Sequence, residues 1–206
     1  MEEKYKLTEE SINYCGKILY RIEALKDFAN VKKGDKGGYI ENENNLSQEG
    51  DCWIYGNTRV SDKAIVCGNA KVYNSAVICD NAVVYDDAEV SGDAQVYDNA
   101  IVSGNVLVYD DAKVCGNAEV YGYVQVCGSA EIKDNSDYIV FKNWWSSGRY
   151  FTWTKSNNMW KVGCFYGTGE ELIAKAYEDS ELSGKEYKRV VDYVESILQD
   201  SKGIGD

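Results

Sequence analysis

A branched aliphatic residue returns every six positions through the middle of this chain. Divided into hexads from Ile54, the first positions read Ile54, Val60, Val66, Val72, Ile78, Val84, Val90, Val96, Val102, Val108, Val114, Val120, Val126 and Ile132. All 14 are Val or Ile, and no insertion breaks the register across 84 residues. The third position is Gly, Asp or Asn in every hexad, from Gly56 to Asp134. The fifth is Ala in 10 of 14, the exceptions being Thr58, Val106, Val124 and Ser136. A strand sends alternate side chains to opposite faces, so in the run Ala-x-Val-Tyr the Ala and Val share one face. The Gly, Asp and Asn residues that follow tolerate the left-handed backbone region and turn the chain. Each hexad is therefore a short strand plus a corner. One such unit cannot bury its apolar face alone, but a stack of them can.

The pattern resembles the hexapeptide-repeat left-handed β-helix, in which three hexads complete one triangular coil. The resemblance covers residues 54–137, which at 18 residues per coil gives between four and five coils. Looser hexad spacing at Ile40 and Leu46 places the start of the helix before residue 54. Second positions alternate large and small from Cys67 onward: Tyr73, Cys79, Tyr85, Ser91, Tyr97, Ser103, Tyr109, Cys115, Tyr121, Cys127. With three faces, each tyrosine then sits above a small residue, which spares stacked rings from crowding. This reads as surface packing, with a tyrosine-lined binding surface as the alternative. One outward face carries the apolar ladder Ile65, Val83 and Ile101, with Tyr85 beside it. Exposed apolar ladders meet partners. Ile65, Val83, Tyr85 and Ile101 are the candidate interface of a homodimer or homotrimer, unless the C-terminal region covers them.

Residues 1–53 are not hexads. "INYCGKILYRI" reads as a hairpin turning near Cys15 and Gly16, and the segment is expected to cap the open strand edge of the first coil. After Asp137 the runs "YIVFKNWW", "RYFTWTKS" and "MWKVGCFYG" predict three strands separated by turns. Two helices follow, one opened by a Thr168…Glu171 capping box and one by Ser183…Glu186. Tyr187, Val190, Val191, Val194, Ile197 and Leu198 form an apolar stripe on the second. The expected fold is mainly β: a left-handed parallel β-helix with an N-terminal β cap and a small C-terminal α+β domain. The divisions are 1–53 for the hairpin and cap, 54–137 for the hexapeptide-repeat helix, and 138–206 for a β-meander with a helical hairpin. The whole arrangement resembles a group of bacterial and prophage-encoded hexapeptide-repeat proteins, through the pattern at Asp137–Phe141, Val162–Leu172 and Ser183–Tyr187. The resemblance implies a fold and a genomic context rather than a mechanism.

The chain has no signal peptide and no apolar run of transmembrane length, which predicts a cytoplasmic protein without a membrane partner. Its seven cysteines include no close Cys-x-x-Cys pair and read as reduced side chains. Hexapeptide β-helices often belong to acyltransferases, which generally use a histidine as base. This chain has no histidine, its register is unbroken, and a carboxylate is a weak base near neutral pH. It is therefore read as a non-enzyme with no cofactor, the acyltransferase being the alternative. Asp62, Asp80 and Asp98 stack at 18-residue spacing but read as turn residues, so no metal is assigned.

The net charge of −12 opposes nonspecific nucleic-acid binding. Residues 138–168 depart from it, carrying Lys142, Arg149, Lys155 and Lys161 and no acid. Trp144, Trp145, Arg149, Tyr150, Trp153, Lys155, Trp160 and Lys161 are the candidate ligand residues, since rings stack on bases and cations pair with phosphates. The alternative is that the tryptophans form the core of the small domain. The acidic corners Asp86, Asp87, Asp93, Asp110 and Asp111 offer another reading, a nucleic-acid mimic that occupies a host protein's channel. The prophage context implied by the resemblance points to a non-enzymatic counter-defence protein. It would sequester a nucleotide-like messenger or a host defence protein.

Overall fold

The computed structural model describes residues 3–203. The chain divides after Asp137 into two compact units. In the first, each hexad forms a strand of two residues, from Trp53–Ile54 to Glu131–Ile132. Strands 18 residues apart pair in parallel, with Val84 opposite Val102, Val90 opposite Val108 and Val96 opposite Val114. The backbone carries the pairing from coil to coil, as where Tyr85 N donates to Val102 O at 3.0 Å. The result is a parallel β-solenoid of about five turns, walled by three sheets. All 14 first-position side chains are 0% exposed, and the fifth-position residues from Thr58 to Ala130 are at most 1% exposed. Ser136 departs from this pattern: it is exposed in the 3-10 turn Asn135–Asp137 that ends the repeat.

The corners follow the residue types. φ is positive at the third position of every hexad from Gly56 to Gly128, including Asp62, Asn74, Asp80, Asp86, Asp98 and Asp110. The aspartates also tie neighbouring coils together. Asp86 Oδ2 accepts from Gly104 N at 3.3 Å, Asp98 Oδ2 from Gly116 N at 3.0 Å, and Asp110 Oδ2 from Gly128 N at 3.1 Å. Gly92, at φ 72°, tolerates no side chain, because a Cβ would stand 2.9 Å from both Asp110 N and Asp110 O. Tyrosines do not need small neighbours. Tyr55 and Tyr73 lie one coil apart and stack, with ring centroids 4.7 Å apart and planes 12° from parallel. Strand spacing leaves room for stacked rings, so the alternation of large and small is not forced by crowding.

The N-terminal segment belongs to the same compact unit. Strands Tyr5–Tyr14 and Lys17–Ala24 form a hairpin whose turn residues Cys15 and Gly16 both have positive φ, at 51° and 81°, the conformation that a tight hairpin with right-handed twist requires. Strand Lys36–Ile40 pairs antiparallel with the second hairpin strand and parallel with Arg59–Val60. One solenoid wall thus continues into the hairpin as an eight-stranded sheet. The open end of the first coil is closed by Lys4, which is 1% exposed. Its ammonium donates to the carbonyls of Glu49 at 3.2 Å, Gly50 at 3.3 Å and Cys52 at 3.0 Å. Tyr5 and Phe28 pack edge-on against the buried Trp53.

The second unit has four antiparallel strands, Tyr138–Lys142, Tyr150–Thr154, Met159–Val162 and Phe165–Gly167. The run "MWKVGCFYG" is two strands rather than one, because Gly163 at φ 56° turns the chain. Helix α1 (Gly169–Asp179) opens on the Thr168–Glu171 capping box. Helix α2 (Glu181–Gly203) begins earlier than Ser183. Ser180 ends α1 and opens α2, its Oγ accepting from Ser183 N at 3.0 Å. The core gathers Phe151, Trp153, Trp160 and Val162 from the sheet with Leu172, Val191 and Val194 from the helices.

Candidate functional site

The basic aromatic segment is spread over both faces of this sheet. Trp153 and Trp160 lie opposite each other in the pairing and are each 2% exposed, so their rings are core. Tyr150 and Lys161 occupy the alternate register, opposite Lys142 and Thr152, and so point to the other face. Trp145 leans on Phe151 and Tyr187 at centroid distances of 6.0 and 5.9 Å. Its buried indole N–H has no partner among the described residues. Trp144 is 81% exposed. The eight residues are thus not gathered into one site.

Two cavities in this unit take some of them. Trp153 and Lys155 line a space of about 320 Å³ with Asn158 and Leu198. Arg149 lines another, of about 240 Å³, with Cys164, Phe165, Lys175, Asp179 and Tyr187. Arg149 lies across Gly163, where an added Cβ would stand 3.2 Å from its Cδ. The guanidinium has no ion-pair partner among the described residues. Lys175 is paired with Glu178 at 2.6 Å, which raises the lysine's pKa. Sequence periodicity gave no sign of Lys175 or Tyr187 here, since they come from helices that meet the sheet only in the folded unit.

A third cavity, of about 300 Å³, lies in the solenoid unit between the hairpin tip and one wall. Tyr14, Cys15 and Lys17 form its roof, and Ser61, Asp62, Val77, Cys79, Asp80, Gln95 and Tyr97 complete the lining. Lys17 and Asp62 form an ion pair. The pairing raises the lysine's pKa and lowers that of the aspartate. Burial, reinforced by Asp80, pushes the Cys79 thiol up to about 12. At neutral pH the amine stays protonated, the carboxylate stays ionised and the thiol keeps its proton. Lys17 thus presents no free amine and Cys79 no thiolate, while the Asp62 carboxylate is held against the ammonium.

The apolar ladder sits on the four-stranded wall, where Ile65 is 40% exposed and Val83, Tyr85 and Ile101 are half-buried. Three of the five acidic corners also tie coils together. Besides Asp86 and Asp110, Asp87 Oδ1 accepts from Asn69 Nδ2 at 3.1 Å. Among the described residues no cluster of three or more Cys, Asp or Glu is placed to hold a metal ion. No described helix is long and apolar enough to cross a membrane.

Residues 94–111 match the family model of the YdcK β-solenoid repeat. A protein of Escherichia coli (strain K12), named the uncharacterized acetyltransferase YdcK, is 33% identical over 84 residues. The match takes in 31% of this chain and 26% of that relative. This chain is thus a β-solenoid protein, similar to that relative over about a third of its own length.

Proposed function

We propose that this chain is a non-catalytic binding protein that sequesters a small nucleotide-like anion, with the contact point at the Arg149 cavity of the second unit. The observation that carries the reading is a guanidinium without a carboxylate partner at a concave site that also offers two aromatic rings, Phe165 and Tyr187. Arginine binds phosphate in a bidentate fashion, and a ring supplies a stacking surface for a base. Asp179 in the same lining partly offsets the positive charge, which favours one phosphate over a polyphosphate. At about 240 Å³ the cavity is smaller than the roughly 300–1,000 Å³ usual for whole ligands. It suits a phosphate and an adjoining ring, with the rest of the molecule outside. In a phage-encoded protein such capture of a messenger would serve counter-defence, and the ladder of Ile65, Val83 and Ile101 would join a second copy.

Native mass spectrometry of protein purified gently from its expressing cells tests the reading. A retained small-molecule mass that disappears in Arg149→Ala supports it. A clean protein mass, still clean after incubation with a panel of mono- and cyclic nucleotides, overturns it.

Acetyl transfer is the second reading, favoured by the relative's name. The match covers 31% of this chain and 26% of that relative, and the solenoid cavity offers no free amine at Lys17 and no thiolate at Cys79, so Asp62 and Asp80 are the bases its lining holds. Incubation with acetyl-coenzyme A and a panel of primary amines and alcohols decides it, since release of free thiol above the background rate would establish turnover.

A further inference from the structure

The hairpin is longer than capping requires. Its second strand pairs with Lys36–Ile40 only as far as Tyr20 opposite Ile40. Among the described residues the tip beyond Tyr20 has no further strand to pair with on that side, yet it is anchored across the solenoid wall at two points. Lys17 pairs with Asp62, and the Arg59 guanidinium lies 4.5 Å from the centre of the Tyr14 ring. An overhanging hairpin fixed at both sides of its turn makes a roof, and the cavity of about 300 Å³ lies under it.

We propose that this roofed cleft is a ligand site for a compact organic cation, a primary amine carried on an apolar or aromatic body. The lining has one cation and two anions, Lys17 against Asp62 and Asp80. Lys17 is already neutralised by Asp62, whose Oδ2 also accepts from Ser61 Oγ at 3.1 Å. Asp80 is different. Its Oδ2 accepts from Asp98 N at 3.2 Å and from the Cys79 thiol at 3.5 Å, while its Oδ1 has no donor among the described residues. That leaves one carboxylate oxygen of an exposed side chain at the mouth of the cleft, beside a floor of Val77, Cys79 and Tyr97. An ammonium would displace solvent from it, and the apolar body would cover the floor. Anions would be repelled by the surplus carboxylate, so the specificity is opposite to that of the Arg149 cavity.

Three probes with the same body separate charge from shape: phenethylamine, phenylacetate and 2-phenylethanol, titrated into the full-length protein by calorimetry and by NMR of the Val77 methyl groups. Phenethylamine is expected to bind with Kd on the order of 1 mM and at least tenfold more tightly than phenylacetate. Asp80→Asn is the first variant, because asparagine keeps the left-handed backbone at φ 58° and still accepts from Asp98 N. It should weaken the amine about tenfold while leaving the alcohol unchanged. Tyr14→Ala, at the roof, should weaken amine and alcohol alike. Arg149→Ala should change none of these, which keeps this site's outcome separate from that of the nucleotide site. Equal binding of amine and carboxylate, no amine binding at about 10 mM, or an Asp80→Asn protein with wild-type affinity would each overturn the proposal.

Discussion

The two units bury apolar surface in opposite ways. The solenoid fills its interior with small, β-branched or methyl side chains in identical layers, so that each coil depends on the coils directly above and below. The second unit gathers a few large rings, Phe151, Trp153 and Trp160, around the helix residues Leu172, Val191 and Val194. Stability in the first is close to a sum over neighbouring coils. In the second it rests on a single cluster, in which each ring touches several elements. Damage should therefore stay local in one unit and spread through the other.

The largest effect should come from Trp160→Ala. Removing a fully buried indole costs about 3–5 kcal/mol, a large part of what a domain of this size holds in reserve. Trp160 is flanked by Phe151 and Phe141, at 6.5 and 6.4 Å between centroids, so the loss touches two strands at once. Hydrogen exchange should lose protection across all four strands and both helices of the second unit, while the coils from Val66 to Val126 keep theirs. Retained protection in α2 would show that the aromatic cluster is not the single support that the comparison makes it.

The matching test in the solenoid is Lys4→Met, which keeps the length of the side chain and removes its charge. Three carbonyls lose the ammonium that now satisfies them. Leaving the buried Cys52 carbonyl unpaired costs about 1–3 kcal/mol, and the half-exposed carbonyls of Glu49 and Gly50 cost less because water reaches them, so a total of about 3 kcal/mol is expected. Exchange should quicken at Cys52 to Val60 and fade within a coil or two, leaving Val96 and Val114 unaffected. A uniform loss along all five turns would mean that the solenoid is cooperative over its whole length and that the nearest-neighbour description fails.

The same contrast governs what could be read before the fold was known. Periodicity carries the solenoid almost completely: thirteen third-position residues have positive φ, and each first position is buried. The hairpin turn at Cys15 and Gly16 is legible for the same reason, since turn chemistry is local. In the second unit the aromatic cluster in the sequence suggested a site, but "YFTWTKS" and "MWKV" alternate faces, which sends Phe151, Trp153, Trp160 and Val162 inward together. What no local pattern carries is contact across long separations. Lys4 meets Cys52 across 48 residues and Lys17 meets Asp62 across 45, and in the sequence both lysines look solvated. Likewise the Arg149 cavity needs Lys175 and Tyr187, which only the packing of helices on the sheet brings near it.

The smallest effect, and one of opposite sign, lies in the first complete coil. Thr58 holds a fifth position filled by Ala or Val in every later hexad through Ala130, is 0% exposed, and its hydroxyl has no hydrogen-bond partner among the described residues. Thr58→Val preserves shape and replaces the hydroxyl with a methyl group. The interior accepts valine at this position, as Val106 and Val124 are 0% and 1% exposed. Removing an unsatisfied buried hydroxyl should stabilise the unit by about 1 kcal/mol, read as a higher urea midpoint at unchanged slope. The reverse change, Val124→Thr, places the same hydroxyl near the other end of the solenoid and should cost a similar amount. If coils contribute independently, the double variant Thr58→Val with Val124→Thr returns close to the wild-type midpoint. A residual of more than about 0.5 kcal/mol between sites this far apart would show coupling through the stack, and would measure how far the solenoid departs from a sum of its coils.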